Sequence, residues 1–232
     1  VLVFGGGYDV GKDSTTAAAG DDGEGRGIFI VDAASGALVW SVTPANNSGT
    51  NMKSAALKYS IPAQLTVLDS NGDGLTDRIY ATDTGGNIWR LDLPGNSLPT
   101  SAQDKWFLTR LAALNTAGST SPANHAGDRR FFYPVDLVRT MSQRDGVFDA
   151  VLVGSGDREN PNATDNDDRF YMIRDYNTGI YTTRAPTTSE CATSQDFRCK
   201  LPIEDTDLYD ISDNLIQTGD AAQKSAAEAG LK

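Results

Sequence analysis

The stretch Asp69-Ser-Asn-Gly-Asp-Gly-Leu-Thr-Asp77 carries oxygen donors at alternate positions. Asp69, Asn71, Asp73 and Asp77 stand at positions 1, 3, 5 and 9 of a calcium-binding loop. Gly74 at position 6 allows the sharp turn, and Leu75 at position 7 offers its backbone carbonyl. Calcium is a hard cation that takes roughly six to eight oxygens, and donors spaced in this way along a tight turn can all point at one centre. A solvated acidic turn would need neither this order of residues nor this glycine.

The flanking residues say which elements must hold the loop. An EF-hand would place a bidentate Glu at position 12, but Tyr80 stands there. Tyr80 lies within Arg78-Ile-Tyr-Ala-Thr82, a β-branched and aromatic run that reads as a strand. The preceding Ile61-Pro-Ala-Gln-Leu-Thr-Val-Leu68 also reads as a strand, with Pro62 near its start. The loop is therefore expected to join two strands, where an EF-hand joins two helices. Its remaining oxygens would come from water or from elsewhere in the chain. Without the Glu, affinity is expected toward the micromolar-to-millimolar end of the range.

The totals exclude several classes. The 232 residues suffice for a substantial core, read here as a single domain. A formal charge of −11 leaves no basic face to displace counterions from nucleic acid. No stretch approaches 18 apolar residues, so no membrane-spanning helix is expected. The chain begins at once with the strand-like Val1-Leu-Val-Phe4 and carries no secretion signal, which suggests a piece of a longer protein. Cys191 and Cys199 bracket a polar loop with no nearby His to suggest zinc. A disulfide closing that loop is the favoured reading over free thiols, and it suits a periplasmic or surface location.

A weak repeat runs through the chain. Val1-Leu-Val-Phe-Gly-Gly-Gly-Tyr-Asp9 matches Ala150-Val-Leu-Val-Gly-Ser-Gly-Asp157. Arg26 to Trp40, Arg78 to Asp92 and Arg169 to Tyr181 match one another, with Asp32, Asp83 and Asp175 in one register and Gly36, Gly86 and Gly179 in another. The pattern is a β-hairpin. Asp caps the turn, Gly supplies a residue with positive φ, and an aromatic or branched residue packs the return strand. Trp40 and Trp89, soon after the turn, read as packing between sheets. Radially repeated small sheets make a β-propeller, so the expected fold is all-β, a modified, quinoprotein-like propeller. Three copies cannot close a ring, which implies a fragment of one; a sandwich or β-helix of stacked hairpins is the alternative.

Elsewhere, Lys105 to Leu111 reads as the outer strand of the loop's own sheet, and Arg129 to Val138 as buried. Asp9 to Gly25 reads as a mobile surface loop, and His125 as a surface residue. The acidic loop Asp157 to Asp168 fits no metal-loop spacing, although a second ion there stays open. A strand or turn is expected around Leu208 to Ile216. A short helix should follow from an Asp220 N-cap to a stop at Gly230.

The loop with Asp77-Arg-Ile-Tyr-Ala-Thr-Asp-Thr-Gly-Gly-Asn-Ile-Trp-Arg-Leu-Asp92 resembles the PilC/PilY family of type IV pilus tip-associated adhesins and biogenesis proteins. So do Arg130 to Val138, Val153 to Glu159 and Asp168 to Arg174, in the same order, and the resemblance runs from Val1 to about Ile180. It implies a propeller in the C-terminal region of a large secreted protein, with a calcium loop that affects pilus extension against retraction. The implied ligands are Asp69, Asn71, Asp73, the Leu75 carbonyl and Asp77. The implied partners are minor pilins or other pilus-tip components and a host surface, and the implied location is the fimbrium or cell surface, reached through the periplasm. The integrin-binding tripeptide of some members does not occur here.

A non-enzymatic, calcium-responsive pilus-tip domain, acting in assembly and retraction control, twitching motility and adhesion, is the reading this favours. Turns such as Gly36-Ala-Leu-Val-Trp40 also occur in quinone-cofactor dehydrogenase propellers, the first alternative, but no acidic pair beside a cofactor-sized pocket accompanies them. A generic calcium-stabilised extracellular interaction module is the second. No nucleophile, base and orienting group can be picked out together.

Overall fold

The β-branched and aromatic runs form three sheets that follow one another along the chain. The computed structural model describes residues 1–14, 20–45, 49–98, 106–117, 126–143, 146–180 and 200–230. The first sheet contains β1 (Leu2–Gly5), β2 (Ile28–Val31), β3 (Leu38–Thr43) and β4 (Asn51–Lys53) in that order, antiparallel except for a parallel β3–β4 pair. The second is an antiparallel meander of β5 (Thr66–Leu68), β6 (Arg78–Thr82), β7 (Asn87–Asp92) and β8 (Phe107–Ala113). The third is β9 (Asp136–Ser142), β10 (Gly146–Gly154) and β11 (Phe170–Asp175), with β10 in the middle. Late in the chain, β12 (Ile203–Glu204) adds in parallel to the β8 edge of the second sheet.

The repeated aspartates do what their register implies. Asp32 accepts the amides of Ala34 and Ser35, Asp83 those of Gly85 and Asn87, and Asp175 that of Asn177. Gly36 and Gly86 adopt positive φ, 73° and 77°, so both hairpins turn where the glycine allows. Gly179 does not share that conformation, and residues 181–199 lie outside the described residues.

The second sheet is sandwiched. On β6 and β7, Ile79, Ala81, Trp89 and Leu91 pack with Ile28, Ile30, Trp40 and Val42 of the first sheet. The alternate residues Tyr80 and Ile88 pack with Val151, Val153, Tyr171 and Ile173 of the third. Every residue of β6 and β7 is buried; the face toward the first sheet is apolar, and the face toward the third mixes apolar residues with Arg78, Arg90 and Asp92. On β11 of the third sheet, Tyr171 and Ile173 face the second sheet and are buried, while Phe170 and Met172 on the opposite face are exposed. Small antiparallel sheets stacked face to face in chain order are the blade packing of a β-propeller. Trp40 and Trp89 are almost fully buried between the first two sheets, as expected, and Trp40 meets Trp106 at 5.0 Å between ring centroids.

Three sequence expectations need correcting. Ile61 to Leu68 is not one strand; only Thr66–Leu68 pairs with β6. Pro62 interrupts the run, and the Ile61 amide and carbonyl instead bond Gly25 and Gly7 beside the first sheet. Asp9 to Gly25 is anchored at both ends of its described part: Lys12 and Asp22 form a buried ion pair at 2.8 Å, and Asp22 also accepts the Ser60 amide. The tail pairs earlier than expected, at Ile203 and Glu204, and Leu208 to Ile216 holds turns and the start of α1 (Leu215–Thr218). The terminal helix, α2 (Ala221–Gly230), is capped as predicted: Asp220 accepts the amides of Ala222 and Gln223, and Gln223 reaches back to the Asp220 amide. The expected outer strand after Lys105 is β8. Cys191, Cys199 and His125 lie outside the described residues.

Candidate metal centre

The loop leaves β5 at Leu68 and enters β6 at Arg78, so two paired strands fix its ends. The Asp77 amide bonds the Leu68 carbonyl at 2.9 Å, and the Asp77 carbonyl accepts the Leu93 amide at 2.8 Å. Gly72 and Gly74 take φ of 82° and 86°. A side chain would meet nothing within 4 Å at either, so the need for glycine is one of backbone conformation.

Each candidate ligand side chain is engaged with the turn. Asp69 spans it, accepting the Gly72 amide at 2.6 Å and the Gly74 amide at 2.8 Å. Those two amides, Gly74 foremost, hold its carboxyl below the usual carboxylate range. Asp73 accepts the Leu75 amide at 2.8 Å, and Asn71 Oδ1 accepts the Asp73 amide at 2.8 Å. Asp77, the one buried member, takes the Ser70 amide at 2.7 Å and hydroxyl at 2.6 Å on a single oxygen. The Leu75 side chain is exposed, as suits a residue contributing only its carbonyl.

Three of the four side chains are brought together. Asn71 Nδ2 lies 3.3 Å from Asp73 Oδ2 and 3.4 Å from Asp77 Oδ1, so a weakly positive amide joins two carboxylates much as a cation would. Asp69 turns its carboxylate to the Gly72 and Gly74 amides. Among the described residues no set of three or more His, Cys, Asp or Glu side chains converges as a metal cage, in this loop or at Asp157 to Asp168. The donors fit calcium in kind and order, being hard oxygens.

Behind the loop lies a buried ionic network that the motif search did not single out. Arg78, next to Asp77, donates to Asp149 at 2.9 Å, to the Tyr80 hydroxyl and to the Thr178 carbonyl. Arg90 forks onto Asp92 at 2.9 and 2.7 Å and meets Asp175 at 2.7 Å. Asp149 also takes Arg139 side-on, through Nε and Nη2 at 2.8 and 3.1 Å. Burial pushes the Asp149 carboxyl up, but Arg139 and Arg78 outweigh it and leave it below the usual range. The signal in the sequence was charge at inward register in apolar strands: Arg78 and Arg90 alternate with core residues, and such charges need partners.

No family model matches the chain. Over 69 residues it is 35% identical to the type IV pilus biogenesis factor PilY1 homolog of Xylella fastidiosa, a stretch covering 29% of this chain and 5% of that protein. Over 78 residues it is 33% identical to the type IV pilus biogenesis factor PilY1 of Pseudomonas aeruginosa, covering 34% and 6%. The matches thus span about a twentieth of these relatives' own length. The crystal structure of the Pseudomonas aeruginosa PilY1 C-terminal domain aligns with a TM-score of 0.45 and 21% identity, over 68% of this chain and 34% of that one. The curated homologues of this chain are PilY1 proteins, the grouping that its motifs resemble.

Proposed function

We propose that this chain is a calcium-binding domain of a type IV pilus biogenesis protein, acting at the cell surface by binding and not by catalysis. The observation that carries the reading is the loop Asp69 to Asp77: a calcium-type donor order held between two strands of a buried sheet. Asp69, Asn71, Asp73 and Asp77 would hold the ion with their side chains, and Leu75 with its carbonyl. Calcium would supply charge neutralisation there and would stabilise the turn that joins β5 to β6. The homology to PilY1 proteins supports a role in type IV pilus biogenesis; within it we propose control of retraction, twitching motility and adhesion, with other pilus-tip components as partners. No described helix is long and apolar enough to cross a membrane.

The test replaces Asp73 with Asn in the full-length protein of its own cell and scores surface pili and twitching at equal protein abundance. Asp73 is exposed and Asn keeps its shape, so the fold should survive. Loss of calcium-dependent piliation supports the reading; normal piliation and twitching at every calcium level would contradict it.

A further inference from the structure

Arg139 stands on β9 of the third sheet, yet one of its contacts is with the cation loop of the second. Its Nη1 donates to the Ser70 carbonyl at 3.2 Å. The same guanidinium forks onto Asp149 of β10 and reaches the Thr178 carbonyl at 3.4 Å. Ser70 is in turn clamped through its amide and hydroxyl by Asp77. Asp149 is shared with Arg78, the residue that follows Asp77 in the chain. Two routes therefore run from Asp77 to one carboxylate of the neighbouring sheet. One passes through Ser70 and Arg139, and the other through Arg78.

We propose that Arg139 is a positioning residue for the cation loop, fixing the Ser70 carbonyl and coupling the loop's occupancy to the packing of the second sheet against the third. The coupling rests on the proposed ion site; the anchoring of Ser70 does not. A planar guanidinium can hold a carboxylate side-on through Nε and Nη2 and still offer Nη1 to a carbonyl, which a lysine ammonium cannot do with the same geometry. A cation on Asp77 draws its carboxylate toward the ion, and Ser70, held by that carboxylate, must respond. If Arg139 ties the response to β9 and β10, coupling is reciprocal: releasing Arg139 must change the affinity for the ion.

Hydrogen exchange on the intact chain, with and without calcium, tests both parts in Arg139→Gln and Arg139→Lys. Without calcium, Arg139→Gln should speed exchange in the loop from Ser70 to Leu75 and leave the first sheet unchanged, which distinguishes anchoring from general destabilisation. With calcium, the parent chain should gain protection in the loop and also across Asp136 to Gly154. Arg139→Gln should keep the loop's gain, lose the gain across β9 and β10, and bind calcium about fivefold or more weakly; Arg139→Lys should fall between. Equal loop exchange in the parent and Arg139→Gln without calcium overturns the anchoring, whatever the ion does. Equal calcium-induced protection of β9 and β10 in both overturns the coupling. A parent chain that binds no calcium sinks the ion site and the coupling with it, while the metal-free comparison still decides the role of Arg139.

Discussion

Replacing Arg90 with Met should be among the most damaging single changes in the chain. Arg90 is fully buried in β7 and serves Asp92 and Asp175, themselves 0% and 2% exposed, besides the carbonyls of Asn177 and Gly179. Burial alone would push its guanidinium toward the neutral form; Asp175 and Asp92 more than offset this, so the group stays charged. Removing one partner of a buried ion pair costs about 3–5 kcal/mol, because the other charge is left desolvated and unpaired. Here two carboxylates and two carbonyls lose their guanidinium together, although Asp175 keeps the Tyr80 hydroxyl and the Asn177 amide, which places the change at the upper end, about 5 kcal/mol. For a chain of this size that is a fall of about 10–20 °C in melting temperature. Urea unfolding of both chains gives the loss directly. The same Met with Asp92→Asn and Asp175→Asn should recover a large part of it, since the carboxylates that Arg90 neutralised are then uncharged. A loss under about 1 kcal/mol for the single variant, or a triple variant no more stable than the single one, would refute the reasoning.

Two further outcomes follow from the geometry. Burial raises the Asp83 carboxyl to about 6 against the donors that bond it, so the native state holds an extra proton between about pH 4 and pH 6. This group's contribution is therefore fullest below about pH 4 and falls by about 3 kcal/mol as pH rises through 6. Asp83→Asn should remove that slope, and a stability difference between parent and variant that is flat with pH would count against it. At Gly86 an added Cβ would lie 2.9 Å from the Arg129 carbonyl with φ at 77°, whereas at Gly74 it would meet open space with φ at 86°. Gly74→Ala should cost about 1–2 kcal/mol from backbone strain alone, and Gly86→Ala clearly more in the same urea titration.

The hairpin repeat was legible because its signals are local. An Asp that caps its own turn and a Gly with positive φ act within a few residues, so Asp32, Asp83 and Gly86 could be placed from spacing alone. The calcium-type loop was legible for the same reason. What could not be read were the long-range pairings: Arg78 with Asp149 and Arg90 with Asp175 join residues far apart in the chain. Ile61 to Leu68 misled because its apolar residues are buried without joining a ladder: Ile61, Ala63 and Leu65 pack in the core while Pro62 breaks the pairing. Lys12 and Asp22 misled in the opposite sense, as charged residues in a Gly- and Ala-rich loop that are nevertheless buried against Ser60 and Thr84.

The most direct test of the central claim is calorimetric titration of calcium into the intact chain and into Asp77→Ala and Asp73→Asn. The account predicts one saturable site in the parent chain with a dissociation constant in the micromolar-to-millimolar range, lost in Asp77→Ala and much weakened in Asp73→Asn. No saturable heat in the parent chain, or the same heat in all three, would contradict it.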